Sequence, residues 1–156
     1  MSIPISAQGY EQVMDELERL KKERPEIIEA IKVAREEGDL RENAGYEAAR
    51  NRQGMLEARI TYIQSRIPQF NVIDLATLSG EQVIFGAQVQ IEDVDTGEVK
   101  QFRLLGPDEA DYSRGSISIM SPVGQALLGK EVGDEIVVDA PKGKINYEII
   151  SISFGA

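Results

Sequence analysis

Apolar residues recur at heptad spacing through the first half of the chain and at alternate positions through the second. Tyr10, Val13, Leu17, Leu20, Arg24, Ile27, Ile31 and Ala34 step by three and four without a slip. Tyr46, Ala49, Gln53, Leu56, Ile60, Ile63 and Ile67 do the same. Such a stripe lies along one side of an α-helix, and two such helices around a short break predict an antiparallel coiled-coil hairpin. Ser6 is placed to cap the first helix, which begins near Ala7 and runs to about Glu37. Pro25 lies inside it, removes one backbone donor and predicts a kink near Arg24. Gly38 ends that helix as a C′ residue. Asp39 then reads as the N-cap of the return helix, with Glu42 three residues on as in a capping box. Pro68 stops the return helix near Ile67.

The texture changes after a mixed linker at 68–80. Val83–Val94 and Val99–Leu105 alternate around Asp95-Thr96-Gly97-Glu98, a hairpin turn signal. Pro107–Arg114 is a polar acidic loop and Ile117–Met120 a short strand. Ser121-Pro122 opens a short helix through Leu128, which Gly129 closes. Ile136–Asp139 and Ile145–Ser153 predict two further strands around Pro141-Lys142-Gly143-Lys144. The expected fold is thus two domains. Residues 1–76 form an all-α antiparallel coiled-coil hairpin with an acidic tip at 36–45, and 77–156 form a small α+β domain.

The hairpin register follows if Ala34 faces Tyr46. Ile31 then pairs with Ala49, Ile27 with Gln53, Leu20 with Ile60 and Leu17 with Ile63, and the apex falls at Leu40. On the flanks Glu23 lies near Arg59, Glu16 near Arg66 and Lys21 near Glu57, opposite-charge pairs of the kind that fix alignment. Arg35, Arg50 and Arg52, nearer the tip, face no acid across the hairpin. They can reach local glutamates such as Glu47 or hold a polyanion.

Composition narrows the chemistry. The 156 residues include no cysteine and no histidine, which excludes disulfides, thiol catalysis, a histidine base and a conventional zinc site. No apolar run spans a bilayer and the N-terminus has no signal-peptide pattern, so the protein is expected to be cytoplasmic, with no membrane partner. A net charge of −10 argues against a general nucleic-acid binder. Residues 46–66 reverse that balance, with Arg50, Arg52, Arg59 and Arg66 against Glu47 and Glu57.

Carboxylates are what remains for chemistry. Asp39 and Glu42 are three residues apart at a helix start, so both can converge on one side of the tip. They can cap the helix and nothing more, or they can ligate Mg²⁺, a hard ion that takes one or two protein oxygens and completes its shell with water and phosphate. An exposed pair is a weak site alone and suits half of a site that a partner completes.

The stretch Ala34-Arg-Glu-Glu-Gly-Asp-Leu-Arg-Glu-Asn-Ala-Gly-Tyr46-Glu-Ala-Ala-Arg50 resembles the tip of the bacterial Gre transcript-cleavage factors, with Arg24-Pro-Glu-Ile-Ile28 upstream. Val83-Ile-Phe-Gly-Ala87, Asp108-Glu-Ala-Asp111 and Ser121-Pro-Val-Gly-Gln-Ala-Leu-Leu-Gly-Lys130 extend the resemblance over nearly the whole chain. It is nearer the GreA branch than the GreB branch, because the return helix carries few basic residues. The resemblance implies an FKBP-like second domain that docks on bacterial RNA polymerase, and a hairpin that enters the polymerase secondary channel. It implies no enzyme activity of the chain's own. The tip stimulates the polymerase's cleavage of backtracked RNA through Asp39 and Glu42, which share Mg²⁺ with the polymerase active site and hold none in the free, monomeric protein. Arg35 and Arg50 fall where the family places basic residues near the RNA 3′ end, and Arg52 joins them by its unmatched position. Gly45 departs from the family, which usually has a third acid there.

Three other functions fit the sequence. One is a relative that binds the channel without supporting cleavage, against which the presence of both acids weighs. Another is a prolyl isomerase or chaperone built on the second domain, whose aromatic residues are Phe85, Phe102, Tyr112, Tyr147 and Phe154. The third is a structural coiled-coil adaptor whose tip acids are helix caps and nothing more.

Overall fold

The computed structural model describes residues 2–37 and 43–155. The chain forms two compact units, Glu11–Gln69 on the one hand and Met1–Tyr10 with Phe70–Ala156 on the other. The fold class is the expected one, a helical hairpin followed by a small α+β domain.

Within the first unit, helix α1 (Ala7–Glu37) and helix α2 (Asn43–Arg66) run antiparallel. The heptad positions explain why. Val13, Leu17, Ile27 and Ile31 of α1 and Leu56, Ile60 and Ile63 of α2 are buried. Leu20, Arg24, Ala34, Tyr46, Ala49 and Gln53 are half-buried along the same two stripes. The helix passes through Pro25 as a continuous element. Pro25 and Lys21 are both exposed, so the carbonyl that loses its intrahelical donor faces water.

The cross-hairpin ion pairs differ from the expected ones. Arg59 grips Glu16 with two hydrogen bonds, Nε to Oε2 at 2.9 Å and Nη2 to Oε1 at 3.0 Å, rather than Glu23. Glu57 is held by Arg24, through Nε at 2.5 Å and Nη2 at 2.9 Å, rather than by Lys21. In an antiparallel pair each flanking residue sits between two partners one heptad apart, and Glu16 and Glu23 are such a pair. Sequence spacing cannot choose between them; the planar guanidinium does, by selecting the carboxylate it can engage with two parallel bonds. The same preference lets Arg24, from the core stripe itself, displace the point charge of Lys21.

The second unit begins at the N-terminus. Strand β1 (Ile3–Ser6) pairs in parallel with strand β2 (Phe70–Ile73), in the stretch the sequence reads as linker. Contacts therefore group the chain differently from a cut after residue 76. Ile3 and Ile5 are buried, and Ser6 is too. The Ser6 hydroxyl accepts from Gly9 N–H at 3.0 Å, which makes it the cap of α1. Glu109 fixes the same corner: its carboxylate accepts from Ser6 N–H at 2.9 Å, from the Ser6 hydroxyl at 2.5 Å and from Gly106 N–H at 3.1 Å. Gly106 is required there, because a Cβ would lie 2.0 Å from the Pro4 carbonyl oxygen.

Five strands make the main sheet in the order β5-β4-β3-β7-β6. They are β3 (Gln88–Asp93), β4 (Val99–Leu105), β5 (Ser116–Ser118), β6 (Glu135–Ala140) and β7 (Gly143–Ser153). Only β4 and β5 are parallel. Val89, Ile91, Phe102, Leu104, Tyr147 and Ile149 point inward on the pleat and meet Leu127 of helix α3 (Pro122–Leu127). Ser121 caps α3 by accepting from Gly124 N–H at 3.1 Å, and Gly124 passes so close to β5 that a Cβ would lie 2.2 Å from Ser118 O. The Ser-Pro motif thus has a structural role whatever else it does.

Two strands are shorter than the alternation predicts. Gly86 sits at φ 87 and turns the chain at 84–87, so β3 starts only at Gln88. The Ser118 hydroxyl accepts from Met120 N–H at 2.9 Å, which closes a turn and ends β5. The β3–β4 turn forms where Asp95-Thr96-Gly97-Glu98 places it, with Asp93 Oδ1 accepting from Asp95 N–H at 2.9 Å and Thr96 N–H at 3.2 Å. Those two amides and the Thr96 side chain hold the Asp93 carboxyl below the usual carboxylate range.

Candidate functional site

The end of the hairpin where α1 finishes and α2 begins carries the candidate chemistry. Asp39 and Glu42, the acids nominated as catalytic and as Mg²⁺ ligands, lie outside the described residues. Among the described residues no three acidic side chains gather as a metal-ligating group. What the structure gives is the pair of helical turns that flank those acids.

Arg35 leaves the last turn of α1 and crosses to Tyr46 in the first turns of α2. Its Nη2 lies 3.5 Å from the Tyr46 hydroxyl, a long hydrogen bond, and its guanidinium carbon is 5.9 Å from the ring centroid. The guanidinium therefore overlaps the ring edge and donates to the oxygen at once. Arg50 follows Tyr46 by one helical turn on the same side. The bond from Arg35 chiefly, then the charges of Arg35 and Arg50, hold the Tyr46 phenol below its ordinary titration range.

Arg35, Arg50 and Arg52 are all exposed. Neither Arg50 nor Arg52 forms an ion pair with an acid among the described residues. At the other end of the hairpin Arg24 and Arg59 are each tied to a glutamate. Arg59 also lies 5.4 Å, and Arg66 5.3 Å, from the Tyr62 ring centroid, so the basal arginines stack on an aromatic as well. The structure ties Arg35 to Tyr46 across the hairpin, while Arg50 and Arg52 follow along α2. Tyr46 was legible only as a core position.

Gly45 stands at an open position: a Cβ there meets nothing within 4 Å among the described residues. The missing third acid is therefore not excluded by space. In the second unit Phe85, Phe102 and Tyr147 are buried, Phe154 packs half-buried against the core, and Tyr112, 70% exposed, sets its ring 5.8 Å from that of Phe102.

A sequence profile described as "Transcription elongation factor, N-terminal" matches residues 3–72, and one described as "Transcription elongation factor, GreA/GreB, C-term" matches 78–154. The chain belongs to the GreA/GreB family of transcription elongation factors. Over 153 residues it is 77% identical to the transcription elongation factor GreA of Solidesulfovibrio magneticus, covering 98% of this chain and 93% of that protein. It is 71% identical to the GreA of Nitratidesulfovibrio vulgaris, with coverage of 98% and 96%. Among solved structures, GreA factor homolog 1 of Thermus thermophilus aligns at 31% identity and a TM-score of 0.46, over 98% of this chain and 99% of that one. Among the described residues of this Gre factor, no helix is long and apolar enough to cross a membrane.

Proposed function

We propose that this Gre factor acts as a monomer on bacterial RNA polymerase in the cytoplasm, entering the secondary channel with its hairpin tip and stimulating the polymerase's own cleavage of backtracked RNA. The second unit docks on the polymerase while the tip reaches the active site. The observation that carries this reading is the division of arginines along the hairpin. Arg24 and Arg59 are held by glutamates, whereas Arg35, Arg50 and Arg52, on the tip side of the hairpin, form no ion pair with an acid among the described residues.

Asp39 and Glu42 would supply hard oxygen donors to a Mg²⁺ ion already held in part by the polymerase and the RNA phosphate. The ion, when bound, activates water and stabilises the leaving oxygen of a phosphodiester. The chain itself contributes placement: Arg35, Arg50 and Arg52 bind the RNA backbone near its 3′ end. A channel-binding relative that does not support cleavage would need no acid pair, and this chain has one.

The test is direct. Added to stalled, backtracked elongation complexes, the protein should release short RNA from the 3′ end, and Asp39→Ala or Glu42→Ala should abolish that release while leaving polymerase binding nearly intact. Full activity in folded variants would end the reading.

A further inference from the structure

Tyr46 sits where a core residue of the hairpin should end, yet its hydroxyl is turned to a guanidinium from the opposite helix. A phenylalanine would fill the same half-buried seam position equally well. Packing alone thus does not account for the oxygen. What the oxygen does is give Arg35 a fixed acceptor that carries no negative charge, so the arginine is held without being neutralised. Arg24 and Arg59, by contrast, are held by carboxylates. Arg50, one turn along α2, shares the same phenol as a neighbour, and its charge contributes to the lowered phenol titration range.

We propose that Tyr46 is a positioning residue for nucleic acid: its hydroxyl holds the Arg35 guanidinium at the end of the hairpin seam, where it is presented to RNA backbone phosphate. The inference rests on the proposed contact between the tip and backtracked RNA, and it goes further by assigning the work of arrangement to an uncharged side chain. An exposed arginine left alone samples many rotamers. A neutral acceptor restricts that freedom at no cost in net positive charge.

The experiment is a double-mutant cycle in the full-length protein. The probe is a backtracked elongation complex whose RNA carries a photoreactive nucleotide at its 3′ end, and the readout is the yield of crosslink to the factor. Tyr46→Phe keeps the ring and removes the oxygen, and should lower the yield roughly three- to tenfold, the range of one lost hydrogen bond. In an Arg35→Ala background the same substitution should have no further effect, because the arginine it positions is gone. A purely structural role would instead lower the melting temperature and reduce crosslinking equally in both backgrounds. Wild-type crosslinking by Tyr46→Phe alongside a loss in Arg35→Ala and Arg50→Ala would overturn the inference and leave the proposed function standing. Undiminished crosslinking by both arginine variants would overturn the RNA contact itself. A Tyr46→Phe defect equal in size in both backgrounds would also overturn the positioning role.

Discussion

Glu109 accepts three hydrogen bonds, two from Ser6 and one from Gly106, and so ties the start of the chain to the loop after β4. Glu109→Ala would leave those donors without an acceptor at a half-buried corner, and should destabilise the protein by about 1–3 kcal/mol in thermal unfolding. The carboxylate also lies at the N-terminus of α1, where a negative charge is favoured. Glu109→Gln should therefore recover only part of the loss. Gly45 makes the opposite case. Glycine there weakens α2, and the space around it is open. Gly45→Glu should stabilise the helix by up to about 1 kcal/mol, because glutamate is the better helix former and the position is near an N-terminus. If the family's third acid strengthens ion binding, the same variant should stimulate RNA cleavage at lower Mg²⁺ than wild type; an unchanged Mg²⁺ dependence would show that the acid is dispensable.

The two helices illustrate what was legible in the sequence and what was not. Burial of Val13, Leu17, Ile27, Ile31, Leu56, Ile60 and Ile63 follows directly from heptad spacing, since a stripe has only one way to be hidden. The ion pairs do not follow, because Arg59 has two glutamates within reach and its side-chain geometry decides between them. Strand β1 differs for another reason: Ile3-Pro4-Ile5-Ser6 is too short an alternation to read ahead of a helix cap, and it forms a strand only because β2 supplies the partner. Tyr46 was read for its ring and not for its oxygen. The Arg59–Glu16 pair gives a pH prediction. The hydrogen bond from Arg59 holds the Glu16 carboxyl below its ordinary value of 4.5. The pair's stabilisation is then complete above the unfolded value and fades as pH falls through the lower, folded one. It is partly exposed and worth roughly 0.2–1 kcal/mol. The stability gap between wild type and Arg59→Ala should narrow on acidification from neutral pH into that range; a constant gap would mean that the pair contributes nothing. Replacing Arg59 or Arg66 should leave RNA crosslinking intact, whereas losing Arg50 or Arg52 should weaken it and flatten its salt dependence. Equal losses in all four would mean that the basic helix acts as one undifferentiated patch.

At the scale of the whole molecule, the chain separates a part that folds around apolar residues from a part that presents charge. The main core lies entirely within Val83–Ile149. A fragment of 77–156 should therefore keep its sheet, compete with the intact factor for polymerase and fail to stimulate cleavage. It should also melt below the intact second unit, because it lacks β1, β2 and the Ser6 donors to Glu109. The hairpin has little core beyond one seam, and its remaining surface is charged and pairs off toward the base, which suits a part made to reach into a partner. The central claim is that the acids at the tip act on RNA held in polymerase, and the most direct measurement is RNA release from the 3′ end of backtracked complexes. Wild-type protein should produce it in a Mg²⁺-dependent manner. Asp39→Ala and Glu42→Ala, shown to be folded and bound to polymerase, should not. Release by either variant at the wild-type rate would contradict the account.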